Sequence, residues 1–311
     1  MASQIETVAL EIFKKRGHLL DSFVEISLVH DREEQADELI AEAMQEIRRV
    51  EKLVSLKNDK SQVNQVNKMA GIAPVTVDHE LFHLIERAVW ISELTQGIYD
   101  ITASGMKMGE KPESLLPGLH DWRLNRLVNY RNVILEPNDL SVFLKKRGMR
   151  IGLEDIGKSY AAGCVKIKLS GLGVSAGVVN FNGNLCTWGN APWGRRWTMA
   201  TADPNNAMNK FPGLNLSNRY MFTAWSNKKF MRTYNWERTN MMYTPFSRSR
   251  KSISSVTILS PDAVLCGALS NSIMKIGIQK GLDLINRLKD TDAIIIRSDQ
   301  TVFTSDHVRL K

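Results

Sequence analysis

The order of helical and strand-like segments constrains the fold of this 311-residue chain more than any other feature. An alternating strand-like segment at 22–29 and a long amphipathic helix at 32–54 come first, and a second helix is predicted at 79–96. A block of short strand-like runs follows, before two late helices and a final strand at 293–298. Helices grouped around a block of strands indicate an α+β protein, with a largely antiparallel sheet flanked by helices.

The individual segments are predicted from their periodicity and from the turn residues between them. Further strands are expected at 132–136, 141–146, 149–153, 174–183, 197–204, 219–225, 230–236 and 254–260. Further helices are expected at 156–173, 262–277 and 278–289, and the polar stretch 55–71 is predicted to be a turn region. The first 17 residues space their apolar side chains as a helix does.

Two features of the chain bear on its cellular location. No run of apolar residues reaches the length of about 18 that a membrane-spanning helix needs. The first residues, MASQIETVALEIFKKRG, contain Glu6 and Glu11 where a secretory signal has an uninterrupted apolar core. We therefore expect no membrane segment and a cytoplasmic protein.

The octet GLEDIGKS (152–159) matches G-x-x-x-x-G-K-[ST], the pattern of nucleotide-binding phosphate loops. Such a loop surrounds phosphates with backbone N–H groups, and the carboxylates of Glu154 and Asp155 would repel that charge. It also follows an apolar strand of a parallel sheet, whereas the order of segments here predicts an antiparallel one. We interpret the octet as a chance match.

The stretch HELFH (79–83) satisfies H-E-x-x-H, in which two histidines bind zinc and the glutamate is a general base. The alternative is an ordinary helix start, with Asp78 as its cap and Glu80 as a favourable charge in its first turn. No third ligand follows at a zincin spacing, and the three cysteines show no C-x-x-C pattern. We favour the helix start, without zinc or disulfides.

The formal charge of +8 is concentrated in residues 217–251, where eight basic side chains accompany one acidic side chain. The same stretch is rich in aromatic residues, and this combination can grip phosphates and stack bases. A β-meander with a basic edge, which discourages pairing with other strands, has the same composition. We favour the meander, so nucleic acid is not the expected partner, and a basic phosphate- or nucleic-acid-binding module remains an alternative.

A family resemblance extends from about residue 19 to residue 305. Its segments are VSLKNDKSQVNQVNKMAG and TQGIYDIT (54–71 and 95–102), IGLEDIGKSYAAG (151–163), GVVNFNGNLCTWG (177–189) and SSVTILSPDAVLCGALSNSIMKIG (254–277). Together they resemble the ApbE family of flavinyltransferases, which split FAD with magnesium and attach FMN to a Ser or Thr of a target protein. The resemblance implies a single ApbE-like domain, 1–311, of two closely packed α/β lobes, roughly 1–150 and 151–311.

The resemblance also implies which residues occupy the family's functional positions. The cofactor-binding positions correspond to Ile98, Tyr99, Asp100, Lys158, Gly183 and Asn184. The family's carboxylate and Thr metal ligands correspond to Gly267 and Asn271, and its catalytic His corresponds to Asn240. Asp155 matches a backbone metal ligand, and its side chain either replaces the lost charge or caps the following helix.

Other family positions are also substituted: Leu19-Leu20, Lys57, Gly152 and Asn182 replace Met-Gly, Tyr, Asp and Gly. Because Mg²⁺ prefers anionic oxygens and transfer depends on positioning and charge neutralisation, magnesium is a doubtful cofactor here. We expect an impaired or non-catalytic homologue whose scaffold binds FAD, another nucleotide or a protein target. An active magnesium-dependent FAD:protein FMN transferase is the alternative. Many family members are exported lipoproteins, in contrast to the cytoplasmic location predicted from the start of this chain.

Overall fold

The computed structural model describes residues 10–105, 127–199, 214–216, 218–225 and 253–308. Its strands are β1 (Glu11–Leu19), β2 (Ser22–His30), β3 (Val75–Thr76), β4 (Val133–Glu136), β5 (Ser141–Leu144), β6 (Gly177–Phe181), β7 (Asn184–Trp188), β8 (Thr198–Met199), β9 (Leu214–Asn215), β10 (Tyr220–Trp225), β11 (Ile253–Ser260), β12 (Asp292–Arg297) and β13 (Val302–Thr304). Its helices are α1 (Glu33–Val54), α2 (Gln62–Lys68), α3 (His79–Leu94), α4 (Ile101–Gly105), α5 (Glu154–Gly171), α6 (Ala263–Ile276) and α7 (Ile278–Ile285).

Within the described residues, the main sheet has eight strands in the order β1-β2-β6-β7-β10-β11-β12-β13. Every neighbouring pair in it is antiparallel. Smaller sheets are formed by β3-β5-β4 and by β8-β9. The predicted α+β fold, with a largely antiparallel sheet flanked by helices, is confirmed.

The core lies between one face of the main sheet and a layer of helices. The buried side chains of α1 recur every three or four residues, and they are Ala36, Ile40, Ala43, Ile47, Val50 and Val54. Helix α1 packs on β1 and β2, α5 packs on β6 and β7, and α6 packs on β10 and β11. The alternate side chains of the later strands point away from these helices and form a second apolar cluster with Trp197 and Val302.

Two tight hairpins lie at the same end of the main sheet. Leu20 and Asp21 join β1 to β2, and Asn182 and Gly183 join β6 to β7, all four with positive φ. Two-residue turns of this left-handed kind match the twist of the strands that they connect. The Asn182 amide donates to the Ser22 hydroxyl at 3.0 Å, which links the two turns.

Three local predictions are wrong. Residues 11–17, part of the stretch 1–17 with helical spacing, belong to strand β1, and the turn region 55–71 contains helix α2. Residues 149–153 form no strand, because their backbone bonds to a side chain instead, as described below. The segment 230–236 and most of 197–204 lie outside the described residues.

The main sheet joins β1 and β2 of the first half of the chain to strands of the second half. A division near residue 150 therefore does not separate this sheet, and the two predicted lobes stay a prediction. Within the described residues, no helix combines the length and the apolar character needed to cross a bilayer.

Candidate functional site

Two clefts open at the hairpin end of the main sheet, and Lys158 lines both. The larger, an open cleft, lies between the β1–β2 hairpin, the end of α1 and the first turn of α5. Its charged lining consists of Asp21, Glu51, Lys57, Glu154 and Lys158. The cleft thus offers both cations and carboxylates to a ligand.

An ion pair lies across part of the larger cleft. Lys57 Nζ is 2.6 Å from a carboxylate oxygen of Asp21, and the two side chains are 60% and 52% exposed. The Glu51 carboxylate accepts from the backbone N–H of Leu20 at 2.9 Å and so supports the left-handed turn. Exposed ion pairs stabilise proteins by about 0–1 kcal/mol, so Lys57 can exchange Asp21 for an anionic ligand at little cost.

The smaller cleft lies between α5 and the strands β6, β7 and β10. Asn184 lines it, and its side-chain oxygen accepts from the backbone N–H of Thr223 at 3.2 Å. The Ser159 hydroxyl donates to the Ile156 carbonyl at 3.0 Å. Burial raises the pKa of the Cys266 thiol, which therefore stays neutral. Several polar groups here already have protein partners, and much of the remaining wall is apolar.

Two of the three predicted metal positions, Gly267 and Asn271, lie on one face of α6. Gly267, Asn271 and Lys275 are spaced by four residues and therefore share that face. Lys275 Nζ donates to the Ile98 carbonyl at 3.1 Å. The backbone N–H of Gly152 donates to the Ile101 carbonyl at 3.0 Å. The structure therefore brings the segment 98–101 against both α6 and the residues that precede α5.

Asp100 is buried and holds the local backbone in place. Its carboxylate accepts from the backbone N–H of Thr102 at 2.8 Å, from the Thr102 hydroxyl at 2.5 Å and from the backbone N–H of Tyr130 at 3.1 Å. Tyr99 is also buried, at 2% exposure. These two predicted cofactor residues therefore belong to the core, and neither lines the two clefts.

The described residues supply few groups for a magnesium ion at the predicted positions. Among them, no three His, Cys, Asp or Glu side chains converge as metal ligands. Gly267 has no side chain, and Asn271 offers a neutral amide. Asp155 is in the first turn of α5, but its side chain is not described. Asn240 lies outside the described residues. The assignments of Asp155, Gly267, Asn271 and Asn240 therefore stay predictions.

The octet GLEDIGKS does not form a phosphate loop. Residues Glu154 to Ser159 already belong to helix α5. A Cβ on Gly157 would lie 3.2 Å from Val54 Cγ2, so this glycine serves the close packing of α5 on α1. A phosphate loop needs free backbone N–H groups around its glycines, whereas the N–H groups of Ile156 and Gly157 donate to the Leu153 carbonyl at 3.2 and 2.7 Å.

The zinc-protease interpretation of HELFH also fails. Glu80, its would-be general base, accepts from Arg49 at 2.5 and 2.9 Å and from the Tyr160 hydroxyl at 2.7 Å. The hydrogen bonds from Arg49 lower the pKa of Glu80, which stays ionised and paired. Asp78 occupies the N-cap position of α3 without a capping hydrogen bond, because its carboxylate accepts from Gln62 at 2.5 Å. The predicted cap is correct in position and wrong in mechanism.

Residues 20–295 match the sequence profile of the ApbE family. The chain belongs to the ApbE family. A relative from Klebsiella pneumoniae (strain 342), named FAD:protein FMN transferase, is 26% identical over 281 residues, covering 88% of this chain and 86% of the relative. A relative of the same name from Treponema pallidum (strain Nichols) is 25% identical over 291 residues, covering 84% and 78% of the two chains.

Solved structures of ApbE proteins share the fold. The flavin transferase ApbE from Vibrio cholerae superposes with a TM-score of 0.80 at 15% identity, covering 96% of this chain and 98% of that chain. The apo form of the Pseudomonas stutzeri flavinyl transferase ApbE gives 0.77 at 17% identity, covering 97% and 98%. At this identity the likeness supports the fold alone.

Sequence reasoning missed two carboxylates of the larger cleft, Asp21 and Glu51. A signal for Asp21 was available, because a short polar break between two runs of β-forming residues is typical of a hairpin turn. Glu51 carries no such signal, because it is one of several acidic residues in an amphipathic helix. Glu51 is brought to the cleft only because α1 packs under the hairpin, where its carboxylate accepts from Leu20.

Proposed function

We propose that this ApbE-family chain keeps a binding site for FAD and is impaired or inactive in transferring FMN. The observation that carries the proposal is the face of α6 at Gly267 and Asn271. Where the family has an anionic metal ligand and a Thr, this face offers a backbone and a neutral amide. Mg²⁺ selects anionic oxygens in octahedral geometry, so the loss of its carboxylate weakens binding most.

The proposal that FAD is the ligand rests on the two clefts and on the relatives. FAD has two ring systems joined by a pyrophosphate, and Lys158 lies where the two clefts meet. A cation at that junction suits the pyrophosphate, and the more apolar smaller cleft suits a ring system. The relatives from K. pneumoniae and T. pallidum carry the name FAD:protein FMN transferase, which makes FAD the nucleotide to test first.

Binding of FAD is tested by flavin fluorescence titration and by co-elution in gel filtration. We expect FAD to bind without Mg²⁺ and its affinity to change less than twofold when Mg²⁺ is added. Replacing Lys158 by Ala removes one charge-assisted contact and is expected to weaken binding about tenfold. Lys280→Ala, on the exposed face of α7, is the matched control. Absence of FAD binding in the unmodified chain would refute the proposal.

The second candidate is an active magnesium-dependent transferase, favoured by the activity named for the two relatives. It requires a rebuilt metal site, for which Asp155 is the available carboxylate. Calorimetric titration separates the two candidates, because a rebuilt site predicts micromolar Mg²⁺ affinity that Asp155→Asn abolishes. Affinity no better than millimolar supports the impaired enzyme.

Two further roles from the sequence remain as proposals. The scaffold can serve as a docking site for a protein target, since an FMN transferase must contact its acceptor.

The basic stretch 217–251, which lies mostly outside the described residues, can bind phosphate or nucleic acid. A steep fall in nucleic-acid affinity with rising salt would support that role, because neutralised phosphates release counterions.

A further inference from the structure

Two histidines at the start of α3 are arranged as a pair of metal ligands. His79 and His83 lie one helical turn apart, and their Nε2 atoms are separated by 3.0 Å. On its other side, the ring of His83 places Nδ1 3.0 Å from a carboxylate oxygen of Glu86. None of these residues lines the two clefts described above.

The carboxylate of Glu86 determines how His83 presents its ring. An ionised carboxylate only accepts hydrogen bonds, so Nδ1 of a neutral His83 carries the proton and Nε2 carries the lone pair. A carboxylate on the far nitrogen is the arrangement that orients metal-binding histidines in proteins. His79 presents Nε2 to the same point, and a shift of its ring proton to Nδ1 supplies the second lone pair.

The spacing of the two nitrogens suits a metal ion. Zn–N bonds of about 2.0–2.1 Å at a tetrahedral angle place two ligand nitrogens about 3.3 Å apart. The observed 3.0 Å therefore needs to widen by only a few tenths of an ångström. The side chains of His83 and Glu86 are each 50% exposed, so small rotations are possible and water can fill the remaining coordination positions.

We propose that His79 and His83 bind one divalent transition-metal ion, with Glu86 orienting His83 and water completing the shell. Because no third His, Cys, Asp or Glu ligand converges among the described residues, affinity falls below that of a four-ligand structural zinc site. The Irving–Williams series ranks Cu²⁺ above Ni²⁺ and places Zn²⁺ below Cu²⁺. Mg²⁺, which prefers oxygen ligands, does not bind here. The site is independent of the function proposed above.

The test is calorimetric titration of the full chain with NiCl₂ and ZnCl₂, and with MgCl₂ as the comparison. We expect His79→Ala and His83→Ala each to lower the affinity for Ni²⁺ and Zn²⁺ at least tenfold. Glu86→Gln is expected to lower it about tenfold while keeping both ligands, which is the usual effect of losing an orienting carboxylate. His18→Ala, at an exposed histidine of β1, is the matched control.

Circular dichroism checks that every variant is folded. Binding should also weaken in acid, because protons compete with the metal for imidazole nitrogens. Affinity for Ni²⁺ and Zn²⁺ that is unchanged in both His79→Ala and His83→Ala would overturn the proposal. So would Mg²⁺ affinity equal to that of Ni²⁺ and dependent on the same two histidines.

Discussion

The side chain of Asn67 takes the place of a neighbouring strand for the segment that leads into α5. Its oxygen accepts from the backbone N–H of Ile151 at 2.7 Å, and its amide donates to the Ile151 carbonyl at 3.0 Å. Ile151 is fully buried, so water is a poor substitute partner. One residue of α2 therefore fixes the backbone that precedes Glu154 and Lys158.

Replacing Asn67 by Ala is expected to leave both backbone groups of Ile151 unpaired. At about 1–3 kcal/mol for a buried unsatisfied group, the free energy of unfolding should fall by about 2 kcal/mol or more. Urea denaturation measures this change. The exposed Asn138, replaced by Ala, is the control and should change stability by less than about 0.5 kcal/mol. A loss in Asn67→Ala no larger than in this control would contradict the role given to Asn67.

A second expectation at the scale of single residues concerns Glu80, which connects α3 to α1 and α5. Hydrogen bonds from Arg49 lower the pKa of Glu80 below its ordinary value of about 4.3. The ion pair therefore stabilises the fold fully above that value, and this stabilisation is lost as the pH falls through the lower folded-state pKa. Glu80→Gln should have a lower free energy of unfolding than the unmodified chain at pH 7. Between pH 4.5 and 2.5, its free energy of unfolding should fall less steeply than that of the unmodified chain.

Urea midpoints across that pH range, for Glu80→Gln and for the unmodified chain, measure the difference. Glu93→Gln, on the same helix and exposed, is the control for the loss of a charge. Parallel stability curves for Glu80→Gln and the unmodified chain would show that the pairing with Arg49 carries no stability.

Among the elements, β6 and β2 approach too closely for a side chain at the start of β6. A Cβ on Gly177 would lie 2.5 Å from the ring of Trp188 and 2.9 Å from the Ser27 carbonyl oxygen. Gly177→Ala should therefore destabilise the chain by about 1–3 kcal/mol through overpacking. Gly171→Ala, at the end of α5 where a Cβ meets no atom within 4 Å, is the matched control. Equal thermal midpoints for both variants would contradict this packing.

The elements also show where sequence reasoning succeeded. Helices α1, α3 and α5 were predicted to within two residues at most ends, because each buries a continuous apolar face. Strand β1 was predicted as helix, because its residues are mostly exposed and only its full pairing with β2 determines its conformation. Residues 149–153 alternate as a strand does, and no periodicity reveals that Asn67, distant in sequence, supplies their hydrogen bonds.

At the scale of the whole molecule, the order of segments was enough to predict the α+β class, and the resemblance predicted the family. The site was harder to predict from the sequence, because several of its residues act through contacts that form only in the folded chain. Asp100, predicted to bind a cofactor, uses its carboxylate oxygens for neighbouring backbone and hydroxyl groups. The pairing of Lys57 with Asp21 across the larger cleft depends on the β1–β2 hairpin.

Substitutions at the family's functional positions should rebuild activity in two steps. Gly267→Asp with Asn271→Thr should improve Mg²⁺ affinity, because it restores an anionic oxygen to the face of α6. It should restore little transfer unless Asn240→His is added. Calorimetry with Mg²⁺ and acceptor labelling measure the two effects separately. Full transfer in the double variant would show that position 240 is not needed.

The central claim is that the chain binds FAD without transferring FMN. If a metal and a catalytic His each supply several kcal/mol, their loss removes on the order of four or more decades of rate. The most direct measurement is in-gel flavin fluorescence of a Ser/Thr acceptor protein after incubation with FAD and Mg²⁺. We expect no fluorescent acceptor with this chain and a strong band with the K. pneumoniae relative, the positive control. A fluorescent acceptor produced by the unmodified chain would contradict the account and identify a working enzyme with a rearranged site.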